Sequence, residues 1–348
     1  MAKEWEVDVK IAIAQEGGFV EGWVAACQQK GVPYQLIDPH DTEIVDRLRG
    51  FTHFLWHWHH SVPADQFSAR QIITALQLIG LKVFPNIDTC WHFDDKLGQK
   101  YLLEAVGLPL AKTFAFYSRE AAIKWAKTIT YPKVFKLRAG AGSKNVRLVR
   151  SFGQAKKLIR VMFRRGIPSA NVGGQLSGTI KAVKKSPVDM LKKLYRIPHY
   201  INGIIQRSAL PRQRGYCMFQ EFVPGNTSDT RIVVVGKRAF GIRRMVRKND
   251  FRASGSGLLD YNQNEISLDC VRLAFEAARK LNTQSLALDF VKDEDGKFWI
   301  VEISYGYSVK AYYKCPGYWD PELKWHDEEV RPERWILEDL IADEGCIP

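Results

Sequence analysis

The sequence predicts an α/β protein of two or three packed domains. Residues 1–88 alternate apolar β-type runs with helical stretches, as a small parallel α/β layer does. Strand character returns at Gly215 and ends in a hairpin that carries carboxylates among apolar residues. The 348 residues are enough chain for more than one core, and 46% hydrophobic with 26% charged residues is ordinary globular composition rather than that of a disordered chain.

In the first domain, Val7 to Ala14 reads as a strand, Gly18 to Lys30 as a helix closed by Gly31, and Tyr34 to Asp38 as a second strand. Phe51 to His57 is a third apolar run, Ser68 to Ile79 a helix, and Lys82 to Pro85 a short strand. A central domain, 89–214, opens with a helix from Asp94 to Val106 that stops before Gly107-Leu108-Pro109, and Ser118 begins another running to Thr128. Tyr131 to Leu137 is a strand leading into Arg138-Ala139-Gly140-Ala141-Gly142-Ser143, followed by Val146 to Val149 and a helix from Ser151 to Phe163. Residues 164–214 have the local pattern of an insertion, with Pro168, Pro187, Pro198 and Pro211 around a basic helix from Val188 to Arg196. The last domain, 215–348, places strands at Cys217 to Val223, Arg231 to Val235 and Ala239 to Met245, the latter two joined by a Gly236-Lys237 turn. A helix at Leu268 to Leu281 precedes the hairpin formed by Leu286 to Val291 and Phe298 to Ile303 around Asp293-Glu294-Asp295-Gly296. The Tyr-, Trp- and Pro-rich residues after 310 are expected to wrap as a tail, and the sequence assigns them no chemistry.

No apolar run approaches the ~20 residues that cross a bilayer, and Met1 to Lys10 carries Glu4, Glu6 and Asp8 where a leader would be basic, so a cytoplasmic protein is expected. Six scattered cysteines without CxxC spacing fit buried thiols better than disulfides or zinc. The net charge of +13 is regional, because Lys136 to Gly215 holds nineteen Lys and Arg against Asp189 alone. That stretch is either a solvated face or a surface that steers anions. It suggests that one substrate is large or anionic; nucleic acid is not the expected partner, and a homo-oligomer is compatible with the sequence.

Gly140-Ala141-Gly142-Ser143 can be a plain turn or can turn its N–H groups to a phosphate, and Lys136 on the preceding strand favours the phosphate. Asp289 and Glu302 sit on the two hairpin strands among Leu286, Leu288, Phe290, Ile300, Val301 and Ile303. They are either edge acids facing water or a pair buried with a cation, and two buried carboxylates suit Mg2+, which completes its shell with phosphate oxygens and water. His53, His57, His59 and His60, interleaved with Trp56 and Trp58, leave packing, substrate contact and metal binding open.

The succession Asp95-Lys96, Gly107-Leu108-Pro109, Pro132 to Lys136, the Gly140 loop, Gln220 to Val223, Asp229-Thr230-Arg231, Asn249 to Arg252, Leu288-Asp289 and Val301 to Ser304 resembles the ATP-grasp family across residues 85 to 310. Within it the pattern is most similar to the ligases that add glutamate to ribosomal protein tails, and more distantly to D-alanine:D-alanine ligase and glutathione synthetase. The resemblance implies a Rossmann-like N-terminal α/β domain and two lobes sandwiching ATP, with Mg2+, or Mn2+ in its place. It implies an ATP-dependent ligase that activates a carboxylate as an acyl phosphate and joins it to an amine. By the same resemblance Lys96 and Lys136 hold phosphates, Gly140, Gly142 and Ser143 close over them, and Glu221, Phe222 and Val223 form the adenine hinge. Asp229 then reaches the ribose, Arg252 and Arg231 face the γ-phosphate and acyl phosphate, and Asp289, Glu302 and Ser304 ligate metal. Where the family has Glu-x-Asn, this sequence has Glu302-Ile303-Ser304, followed by Tyr305-Gly306-Tyr307 in place of a small-residue turn. A serine oxygen reaches less far than an asparagine oxygen, so a second metal site is less well provided for. A kinase for a polyanionic acceptor on the same scaffold, or a silent nucleotide-binding module, are the alternatives.

Overall fold

The computed structural model describes residues 9–140, 146–168, 211–247 and 250–342. Gly142, Ser143, Asn249 and the helix expected over Val188 to Arg196 lie outside the described residues.

The first layer is a parallel sheet in the order β2-β1-β3-β4, made of β1 (Ile11–Ala14), β2 (Tyr34–Ile37), β3 (His53–Leu55) and β4 (Lys82–Phe84). All four side chains of β1 are buried, as in a strand covered on both faces. α1 (Val20–Lys30) ends at Gly31, whose φ of 65° lets its N–H turn back to the carbonyls of Cys27 and Gln28. α2 (Ile44–Arg47) and α4 (Ile87–Cys90) are single turns. α3 (Pro63–Leu78) starts at Pro63 instead of the expected Ser68, because a proline in the first turn gives up an N–H that has no helical acceptor there. The run from Phe51 to His57 is strand only at His53–Leu55; beyond it the Trp58 N–H folds back to the Trp56 carbonyl.

α5 (Lys96–Ala105) leads into an antiparallel sheet in the order β5-β8-β6-β7, formed by β5 (Thr113–Phe116), β6 (Lys133–Lys136), β7 (Arg147–Val149) and β8 (Cys217–Glu221). α6 (Arg119–Thr128) and α7 (Phe152–Met162) cover one face through Ala122, Ala126, Leu158 and Ile159 packed on Phe135 and Phe219. Because β8 pairs with both β5 and β6, the chain changes lobe at Glu221, whereas the sequence put that change at Gly215.

The third sheet runs β13-β12-β9-β10-β14-β15, with β11 paired to β10. Its strands are β9 (Ser228–Val235), β10 (Arg238–Met245), β11 (Leu259–Asp260), β12 (Ser285–Lys292), β13 (Phe298–Ser304), β14 (Tyr318–Trp319) and β15 (Trp325–His326). Alternation along the strands sorts their side chains: Ile232, Val234, Leu286 and Leu288 face α8 (Leu268–Lys280). Val233, Val235 and Ala287 on the other face join the core of the first layer, where Tyr305 and Tyr307 are also buried. The tail closes that core with α9 (Pro332–Ile341), which packs on α1 through Trp335, Ile336, Leu337 and Leu340. Gly22 marks the contact, since a Cβ there would lie 1.9 Å from Cγ of Glu333.

Candidate functional site

A cleft partly open to solvent lies between the second and third sheets. Its lining brings together Lys136 and Val134 of β6, Gln220 and Glu221 at the end of β8, Phe222, Val223 and Asp229, Arg252, Asp289 of β12 and Glu302 of β13. These positions are spread over more than 160 residues of sequence, from 134 to 302, and the fold brings them to one cleft.

Register explains how one sheet face becomes charged. In an antiparallel sheet, residues directly opposite share a face. Asp289 is opposite Glu302 on β13 and opposite Arg231 on β9, and Asp229, two residues before Arg231, is opposite Arg244 on β10. Five ionised groups therefore occupy one continuous patch, where the apolar face that joins the first layer gives way to the cleft.

Each carboxylate in the patch already has a protein cation. Arg231 donates from Nε to Oδ1 of Asp289 at 2.5 Å and from Nη2 to Oδ2 at 2.7 Å, and Arg244 Nη2 reaches Oδ2 at 2.8 Å. Arg244 also donates twice to Asp229, both at 2.6 Å. Burial alone would push the Asp289 carboxyl up, but Arg231 and Arg244 overcome it and hold it well below the usual carboxylate range. Burial also works against Glu302, and Lys96 and Lys136 keep it ionised. Lys96 Nζ lies 2.9 Å from Oε1 of Glu302 and donates to the Gly140 carbonyl at 2.9 Å.

Lys136 is the outlying case. The residue is 8% exposed, and its ammonium donates to the Val301 carbonyl at 2.9 Å. Desolvation lowers its pKa to about 8, with Lys96 pushing the same way and Glu302 and Asp289 opposing. A buried cation this poorly compensated is suited to a ligand that brings negative charge.

The loop after β6 is tied to the start of α5. Asp94 accepts the Gly140 N–H at 2.7 Å, and Arg138 donates to Asp95 at 2.6 Å. Burial raises the Asp94 carboxyl to about 6. At the opposite end of the cleft Glu221 is paired with the buried Lys133, its cross-strand neighbour, at 2.7 Å. Arg252 pairs with Asp250 at 2.7 Å.

Among the described residues, four expected site residues lie off the cleft lining. Lys96 lines a smaller adjoining space with Lys136 and Glu302. Arg231 lies behind the cleft lining, clasped to Asp289. Gly140 faces Asp94 and Lys96. Ser304 is outside the lining as well, because its hydroxyl donates to the Gly306 carbonyl at 2.9 Å and accepts the Gly306 N–H at 3.1 Å. Its oxygen is spent on a turn, so the donor set fits one divalent ion at Glu302 and Asp289 better than two. Among the described residues there is no group of three His, Cys, Asp or Glu able to hold a metal unaided. Sequence reasoning passed over Arg244 and Lys133. Counting back from the two-residue turn at Gly236-Lys237 would have placed Arg244 opposite Asp229.

Of the histidines, His57 is packing: it stacks on Phe19 at 4.0 Å between ring centroids, and its Nδ1 accepts the Gly18 N–H. Burial lowers it to about 3, so it stays neutral.

Several solved structures are similar to the chain over nearly its whole length. A RimK domain protein ATP-grasp from Sphaerobacter thermophilus is 14% identical with a TM-score of 0.56, over 96% of this chain and 100% of that one. A D-cycloserine synthetase is 14% identical at 0.57, over 95% and 99%. The biotin carboxylase domain of a Hydrogenobacter thermophilus 2-oxoglutarate carboxylase, in complex with MgADP, ADP and bicarbonate, is 15% identical at 0.57, over 96% and 69%. No protein-family model and no curated protein sequence matches the chain. At these identities the likeness is one of fold.

Proposed function

Since the chain has the ATP-grasp fold, we propose that it is an ATP-dependent ligase that joins a carboxylate to an amine through an acyl phosphate. The observation that carries this reading is the convergence of Lys136, Arg252, Asp289, Glu302 and the Gln220 to Val223 segment on one cleft between two lobes. Adenine would lie along Glu221 to Val223, with the ribose towards Asp229 and the phosphates towards Lys136 and Lys96. Glu302 and Asp289 would hold Mg2+, which supplies charge neutralisation at the phosphate oxygens.

A substrate carboxylate oxygen bonds to the γ-phosphorus as the bond to the ADP oxygen breaks. An amine nitrogen then bonds to the acyl carbon, loses a proton, and phosphate leaves with the former carboxylate oxygen. Both steps bring anions together, and Lys136, Lys96 and Arg252 would lower the cost of charge growing on the transferred group. Product analysis tests the reading: with MgATP and a cell extract, mass spectrometry should find an amide product formed with ADP and free phosphate in equal amounts. A phosphorylated acceptor without free phosphate would make the protein a kinase, and ADP bound without turnover would make it a silent binder.

The pH dependence of nucleotide binding follows from Lys136. Its pKa near 8 applies without ligand, and phosphate oxygens restore the proton. ADP affinity should therefore be flat below pH 8 and fall above it, approaching about tenfold per pH unit. Calorimetric titrations from pH 6.5 to pH 9.5 read this, and in Lys136→Met the fall should be absent.

A further inference from the structure

We propose that the protein's own cations close the carboxylate pair to bare divalent ions and yield it only to a metal that arrives on nucleotide phosphates. This rests on the nucleotide reading above and goes beyond it, because it concerns how the metal is admitted.

Two guanidiniums place three N–H groups on the two oxygens of Asp289, at 2.5, 2.7 and 2.8 Å. Lys96 sits on Glu302 at 2.9 Å. Three carboxylates, Asp229, Asp289 and Glu302, face four cations, Arg231, Arg244, Lys96 and Lys136, and Asp94 beside Lys96 completes the balance, so the cluster is already neutralised by the protein. Ser304 adds no oxygen to the set.

A bare hydrated dication gains little here. To reach Asp289 it must displace guanidinium N–H groups, and Arg231, only 18% exposed at its side chain, would lose its partner in a poorly solvated position. A metal carried on a nucleotide changes the balance, because the phosphates bring more negative charge than the metal brings positive. Lys96 then exchanges a carboxylate oxygen, and Lys136 the Val301 carbonyl, for phosphate oxygens, while Arg231 and Arg244 keep what the metal leaves of Asp289, so none is left buried without a partner. The cations thus act as place-holders for the metal, and coupling between metal and nucleotide is built into the apo site.

Mn2+ binding to the full chain, read by electron paramagnetic resonance, tests this. Without nucleotide the parent should bind Mn2+ at least about thirtyfold more weakly than in the presence of saturating ADP. Arg231→Gln should tighten nucleotide-free Mn2+ binding about tenfold or more, since Asp289 then keeps only Arg244. Arg243→Gln removes an equal charge from the neighbouring residue of β10, whose guanidinium pairs with Glu265 and Asp260, and should leave Mn2+ affinity within about twofold. If circular dichroism finds Arg231→Gln unfolded, Lys96→Met, which frees Glu302, should give the same gain. A parent that binds Mn2+ equally well with and without ADP, or a folded variant with parental nucleotide-free affinity, overturns the proposal. A parent that binds neither ADP nor MnADP instead overturns the nucleotide reading on which it rests.

Discussion

Lys136→Met is expected to lower ADP formation by about a hundred- to a thousandfold, the usual effect of deleting one donor aimed at developing charge, while raising the melting temperature. The two effects have one cause. Lys136 is held charged in a poorly solvated position, so the native state carries a cost at neutral pH that a thioether of similar length does not. The sign can be followed with pH. Below about 8 the ammonium is charged in both folded and unfolded chain and the cost is full. Between about 8 and the ordinary value of 10.5 the folded protein sheds the proton first, so the parent regains stability as pH rises. The gap in melting temperature should therefore close above pH 8. Scanning calorimetry of both proteins at pH 7 and pH 10 reads it, and a variant that melts below its parent at pH 7 would assign Lys136 to structure instead of ligand binding.

The largest loss of stability is expected at Arg244. Arg244→Met removes the guanidinium hydrogen-bonded to Asp229 and one of two on Asp289, leaving a buried carboxylate without its hydrogen-bonded cation, which costs about 3–5 kcal/mol. Its neighbour Arg243 pairs with half-exposed Glu265 and Asp260 on the other face, and Arg243→Met should cost less than about 1 kcal/mol. Urea unfolding monitored by tryptophan fluorescence compares them. Equal midpoints for the two variants would mean that the Asp229–Arg244–Asp289 chain contributes no more than a surface pair.

The contrast between these adjacent arginines also marks what a sequence discloses. Strand positions 231 to 235 and 286 to 290 were readable because their apolar runs are bounded by turns, and the hairpin at Asp293 to Gly296 brings Asp289 opposite Glu302 as expected. That Asp289 is neutralised by arginines from β9 and β10 was not readable, since it needs the pairing of β12 with β9, strands separated by a helix and some fifty residues. Ser304 was legible as a departure from Glu-x-Asn, but only the Gly306 turn accounts for where its hydroxyl goes. The His53 to His60 run had no single reading in sequence, because burial of His57 against Phe19 depends on the loop after β1. The tail, silent as chemistry, found its place only through α1.

That tail sets which parts can move. α9 lies on α1, Tyr305 is anchored in the first layer through Trp58 and His57 and Tyr307 through Phe19, and Val233, Val235 and Phe240 share the same core. The first and third layers are thereby welded into a single jaw, and the sheet of β5 to β8 is the other. In the nucleotide reading proposed above, closure over the ligand would fall to the middle layer moving against that base, and a cut at residue 88 would expose a broken core instead of releasing a free-standing module.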